Sequence, residues 1–146
     1  MRLARYVLTI AAAATLGGCG IKNSWDETRR RSQDLHAALA AGKGEAIWAA
    51  TTQRFRRNGT KDRFIGFIAD VPDRMGAFQS ARQTNWNSQT SNGETRVEMA
   101  YDLTFERGTA HEELLWRWID GSRFALDGYR FEAGDRSIEL APARIE

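Results

Sequence analysis

Two hydrophobic periodicities divide the chain near Phe78. Before it, apolar residues recur at helical spacing. Leu35, Ala38 and Leu39 form one stripe with the stem of Arg31, Ile47 and Trp48 a second, and Phe64, Ile65, Phe67 and Ile68 a third. Ser24 and Glu27 stand at capping-box spacing, which predicts a helix from about Trp25 to Ala41 behind a short tether, residues 20–24. Gly42 follows as a left-handed C-cap. A short helix is expected from Glu45 to about Thr52. Another is expected from Thr60 until Val71-Pro72 stops it, with a last turn over Asp73–Ala77.

From Phe78 the period becomes two. Val97, Met99, Tyr101, Leu103 and Phe105 alternate with Glu98, Ala100, Asp102, Thr104 and Glu106, the signature of a half-buried strand over 94–106. Asn92-Gly93 is a hairpin signal and makes the polar segment 78–90 a partner strand anchored by Trp86. Arg107-Gly108-Thr109 turns the chain into a third strand, 110–119, with Leu114, Trp116 and Trp118 on one face. Asp120-Gly121-Ser122 turns it into a fourth, 123–132. There Phe124 and Leu126 share one parity while Tyr129 and Phe131 share the other, so one extra residue is expected at Asp127-Gly128. Ile138 and Leu140 add a short edge segment to a polar tail, 135–146. The order predicts an α+β fold, N-terminal helices packed on a strongly curved antiparallel sheet of about four strands, in one domain over 25–134.

Charge changes meaning once the N-terminus is parsed. The chain has 146 residues, 21 basic and 19 acidic side chains, two His and one Cys. The start reads as a secretion signal over 1–18: a basic MRLAR, an apolar run Tyr6–Leu16 too short to span a bilayer, then small residues before Cys19. Removing it takes away Arg2 and Arg5 and leaves basic and acidic residues in balance, so the basic precursor does not point to nucleic acid. The lone Cys excludes a disulfide framework and a multi-cysteine metal site. No cofactor and no metal are expected. Residues 20–86 carry twelve basic and seven acidic side chains and residues 87–146 the reverse, so the two layers are expected to present complementary fields.

Leu16-Gly17-Gly18-Cys19 resembles the lipobox of bacterial lipoproteins. That resemblance implies cleavage before Cys19, a diacylglycerol on its sulfur and an acylated amino group, hence a membrane partner through lipidated Cys19. Gly20, where Asp would favour inner-membrane retention, leans toward the outer membrane facing the periplasm. Further on, AGKGEAIW (Ala41–Trp48), MGAFQSAR (Met75–Arg82) and DGSRFALDGYR (Asp120–Arg130) resemble small lipoproteins with a nuclear-transport-factor-2-like cone domain. Phe124 stands where that pattern usually has Trp, and Gly128-Tyr129 is kept. The resemblance implies the cone fold and leaves function open, because the superfold holds isomerases, hydratases, lipid carriers and scaffolds.

Candidate chemistry is sparse. His111 beside Glu112 and Glu113, and Asp102 mid-strand, are the candidates for a general base; an exposed strand end is the preferred account of His111, since no third partner is identifiable. His36 reads as structural, at the edge of the first helical stripe. Trp48, Trp86, Trp116, Trp118 and Tyr129 could line an apolar pocket, although aromatic rings ordinarily serve as core. Arg29-Arg30-Arg31 and Arg54, Arg56 and Arg57 are basic clusters able to meet anionic head groups or to lie on solvated faces. The expected function is a membrane-anchored, non-catalytic binding or assembly module. A carrier of a small apolar ligand or lipid and an isomerase- or hydratase-like enzyme are the alternatives. A homodimer through the sheet edge or an envelope protein is the expected partner.

Overall fold

The computed structural model describes residues 18–134 and 136–140. Most of the expected signal segment lies outside the described residues. Four helices precede five strands: α1 Gly18–Ala40, α2 Gly44–Ala49, α3 Gln53–Arg57, α4 Lys61–Met75, β1 Phe78–Ser91, β2 Glu94–Phe105, β3 Gly108–Ile119, β4 Arg123–Ala133 and β5 Arg136–Leu140. The strands form one antiparallel meander in chain order, with β1 and β5 at its edges.

The α+β class holds, with two corrections. The sheet has five strands, the fifth in the segment expected as a polar tail, where Ile138 pairs with Phe131 and is buried. The sheet is also not strongly curled. Its centre stays regular because β2 and β3 pair from Arg96–Arg117 to Phe105–Gly108 without a register shift. Bulges bend only the flanking strands. In β4 the register slips between Leu115–Gly128 and Trp116–Leu126, leaving Asp127 as the extra residue, so both Leu126 and Tyr129 reach the core. In β1 two slips leave Gln79 and Thr84 unpaired, which breaks the regularity of a long exposed edge. The β1–β2 turn has Asn92 at φ 52° and Gly93 at φ 78°, the two positive angles a tight hairpin needs.

The helical boundaries differ for local reasons. α1 starts at Gly18, so the expected tether is helical and Ser24 lies inside the helix, its carbonyl accepting the Thr28 hydroxyl at 2.6 Å. Glu27 does not close a capping box. It accepts Arg31 Nε at 2.8 Å and the backbone N–H of Phe124 at 3.2 Å, tying α1 to β4. Pro72 lies inside α4, which runs on to Met75; so near the C-terminus a proline sacrifices one helical bond, and its carbonyl still receives Gly76 N at 3.0 Å. α2 crosses α4 so closely that a Cβ on Gly44 would stand 2.8 Å from the Ile65 Cα.

α3 was not expected, and it locks the layers together. Thr52 caps it, accepting Phe55 N at 3.1 Å. The same Thr52 hydroxyl donates to Asp127 Oδ1, and Arg54 grips the carboxylate through Nε at 3.0 and 3.1 Å and Nη2 at 2.6 Å. β5 covers β4 only from Tyr129 to Ala133, so the outer edge of Leu126 is free for the helical layer: Thr52 N donates to Leu126 O at 2.8 Å and Leu126 N to Ala50 O at 2.9 Å. The basic cluster around Arg54 is therefore structural in large part, with Arg56 Nε also on Thr51 Oγ1 at 3.0 Å.

Asp127 is fully buried while Arg54 is partly exposed. Removing the cation strands a buried carboxylate. Arg54→Ala is expected to cost about 3 kcal/mol in urea denaturation, against about 0–1 kcal/mol for Arg30→Ala, whose partner Asp34 is exposed. Equal losses for the two variants would contradict the clamp.

Candidate functional site

Two polar constellations stand on opposite faces of the sheet. On the outer face, one cross-strand row reads Arg82, Asp102, His111, Glu132, each paired with the next in register. Arg82 is ion-paired with Asp102, and His111 Nδ1 lies 3.1 Å from Asp102 Oδ1 and His111 Nε2 3.5 Å from Glu113 Oε1. Arg130 continues the pattern, Nη2 on Glu132 at 2.5 Å and Nη1 near Glu113 at 3.8 Å. The two residues considered for acid–base work, His111 and Asp102, are thus brought together. They sit on the inner strands β2 and β3, three residues from the strand ends, over an open hollow of about 630 Å³ that also takes in Ser80, Thr104 and Thr109. Both remain substantially exposed, at 40% and 44% of the side chain.

The inner face carries a second constellation, one that reading the sequence treated as structural. Thr28, Ser32 and His36 form a buried polar stripe along α1, at i, i+4 and i+8, beside Leu35 and Leu39. Ser32 donates to Thr28 O at 2.8 Å and receives the Trp116 indole N–H at 3.2 Å. His36 Nε2 lies 2.6 Å from Glu112 Oε2, with both side chains almost wholly buried. The ring is stacked on Phe78 at 5.9 Å and met edge-on by Tyr101 at 4.7 Å. Glu112 Oε1 and the Tyr129 hydroxyl close no hydrogen bond, although the two residues lie near enough to influence one another. Burial, and after it the charge of Glu112, holds the Tyr129 hydroxyl well above the ordinary phenol range; burial likewise raises Tyr101. The signal was in the sequence: Glu112 shares the apolar parity of Ala110, Leu114 and Trp116, an expensive place for a carboxylate.

A lateral pocket of about 520 Å³ opens between α1 and the β1–β2 hairpin, lined by Trp25, Arg29, Gln33, His36, Ala81, Gln83 and Tyr101. An apolar groove of about 340 Å³ runs between α4 and the β4–β5 edge, over Phe67, Val71, Met75, Phe131 and Ala133, with Asp70 and Arg74 on its rim.

The aromatic candidates do not share a cavity. Trp116 and Tyr129 are core residues at 1% and 0% exposure. Trp48 packs on Phe55 and Phe64, Trp118 on Phe124, and Trp86 on Trp25, each half-buried on a different flank. Cys19 falls in the first turn of α1. Among the described residues, no helix is long and apolar enough to cross a membrane, and no group of three or more His, Cys, Asp or Glu is disposed to hold a metal ion. No protein-family model matches the chain, and a search of the curated proteins finds no match.

At the open end of the sheet, Glu94 joins Arg117 and Arg96. The Arg117 hydrogen bond, with help from Arg96 and against partial burial, lowers the Glu94 carboxyl from 4.5 to about 2. A carboxyl depressed on folding stabilises the native state above its unfolded value, and that contribution is lost as pH falls toward the folded one. Because the group is mostly solvated, it is held to about 1 kcal/mol or less. The stability difference between wild type and Glu94→Gln is expected to be constant above pH 5 and to shrink between pH 4.5 and 2; a difference that grows on acidification would contradict the assignment.

Proposed function

We propose that the protein is a membrane-anchored envelope lipoprotein, attached through Cys19, that acts as a non-catalytic binding or assembly module. The observation that carries this reading is the filled space between helices and sheet. Trp116, Tyr129, Phe55, Phe64, Phe124 and Phe131 are each at most 1% exposed, and Phe55, Phe64 and Tyr129 meet edge to face at centroid distances of 5.7 Å. A domain whose interior is taken up by its own rings presents its chemistry outward. The outer row from Arg82 to Glu132 offers alternating charge on an open surface, suited to a polar protein partner and too solvated to tune a general base. The lipobox-like segment supports the anchor, and Gly20 supports the outer membrane. The order of helices and antiparallel meander, with Gly128-Tyr129 beside the bulge, supports kinship with the nuclear-transport-factor-2-like lipoproteins. The exposed β1 edge supports pairing with a second copy.

The groove over Phe67, Val71 and Met75 favours a second reading, a carrier of a small apolar ligand, with the ligand lying outside the packed interior rather than inside a cone.

Two linked measurements test the proposal. Cys19→Ser is expected to move the protein from the membrane to the soluble periplasmic fraction; unchanged fractionation would remove the anchor. A photocrosslinking amino acid at Thr104, on the outer face, is expected to give one discrete adduct in cells, at twice the chain mass for a homodimer. The same group at Asp62 on α4 is expected to give none. No adduct from Thr104, or equal ladders from both sites, would overturn the assembly surface.

A further inference from the structure

We propose that the lateral pocket over His36 is a binding site for a small carboxylate with a flat apolar body. The inference goes beyond the assembly reading and stands on a different face of the sheet.

Glu112 is fully buried, one oxygen is 2.6 Å from His36 Nε2, and the other closes no hydrogen bond. His36 Nε2 is committed to Glu112, and no described residue bonds Nδ1 of His36, whose ring lines the pocket. Where Nε2 accepts or shares the proton of the pair, Nδ1 carries its own proton and donates.

The remaining lining groups match that polarity. Arg29 is exposed, has no ion-pair partner among the described residues, and supplies the only formal charge lining the pocket besides His36. Its neighbours differ: Arg30 is paired with Asp34 and Arg31 with Glu27. The Tyr101 hydroxyl and the amides of Gln33 and Gln83 add neutral hydrogen-bonding groups. No carboxylate lines the pocket, in contrast to the outer hollow with Asp102 and Glu132. A lining with one cation at the rim, neutral hydrogen-bonding groups and no carboxylate selects a monoanion, and a guanidinium offers a carboxylate two parallel bonds. The Trp25 indole, held edge-on to Trp86 at 5.5 Å, and the Ala81 methyl form the apolar side, against which a flat body lies.

Benzoate and its uncharged isostere benzamide are the probes, titrated into the purified full-length chain in detergent while the histidine ring nitrogens and the tryptophan indole signals are followed by NMR. Benzoate is expected to shift His36 and Trp25 saturably and to bind at least tenfold more tightly than benzamide. Arg29→Gln removes an exposed side chain without touching the core, so it is expected to fold normally and to abolish that preference. His36→Gln, which risks the fold, is not needed. Equal binding of the two probes, benzoate affinity unchanged in Arg29→Gln, or shifts confined to His111 would each overturn the site.

Discussion

The clamp on Asp127 is the constraint on which the architecture depends. One extra residue in β4 reverses the side-chain parity, and without it either Phe124 and Leu126 or Tyr129 and Phe131 would face water. The bulge also turns an acidic side chain into a buried position, where Thr52 and Arg54 satisfy it. Leu126 then exchanges backbone bonds with Ala50 and Thr52, so the loop between α2 and α3 is effectively an extra partner of the sheet. Helical layer and sheet are thereby registered by directional bonds, and the aromatic rings between them pack in one arrangement.

A second tie, between α1 and the sheet, is polar where a helix–sheet contact is usually apolar. Thr28 and Ser32 return their hydroxyl protons to the helix carbonyls, and Ser32 gives Trp116 an acceptor, so three buried groups are satisfied within one turn. His36 and Glu112 extend the stripe and are left with one ring nitrogen and one carboxylate oxygen uncommitted. Groups that a fold buries and does not use are costly to keep. His36 and Glu112 stand beside a pocket that no described carboxylate lines, whereas the charged row on the outer face is already paired side to side.

The sheet was legible because its period is two and its turns carry their own chemistry. The alternation from Val97 to Phe105, the Asn92-Gly93 turn and the parity slip at Asp127 all appear in the structure where the residues imply them. The helical half was less legible. Ser24 and Glu27 form a capping signal locally, yet Phe124 N, nearly a hundred residues away, takes Glu27. Gln53–Arg57 has too few residues to show a period, and its helix exists because Thr52 and Arg54 are held by Asp127. Pro72 reads as a stop and is tolerated one turn from the helix end. For the sites, pairing in register joined His111 with Asp102 across strands, which adjacency in sequence could not reveal. His36 and Glu112 each broke an apolar stripe, and only the packing of α1 on β3 showed that the two breaks meet.

The interior is filled by the protein's own side chains, and binding is left to the outer face and to the open pocket beside α1. Native mass spectrometry of the protein purified from membranes, released from detergent in the gas phase, tests this most directly. The account predicts the mass of residues 19–146 with the covalent lipid on Cys19 and no further tightly held molecule. A reproducible lipid-sized adduct that survives detergent removal and leaves only on unfolding would show an internal cavity and contradict it.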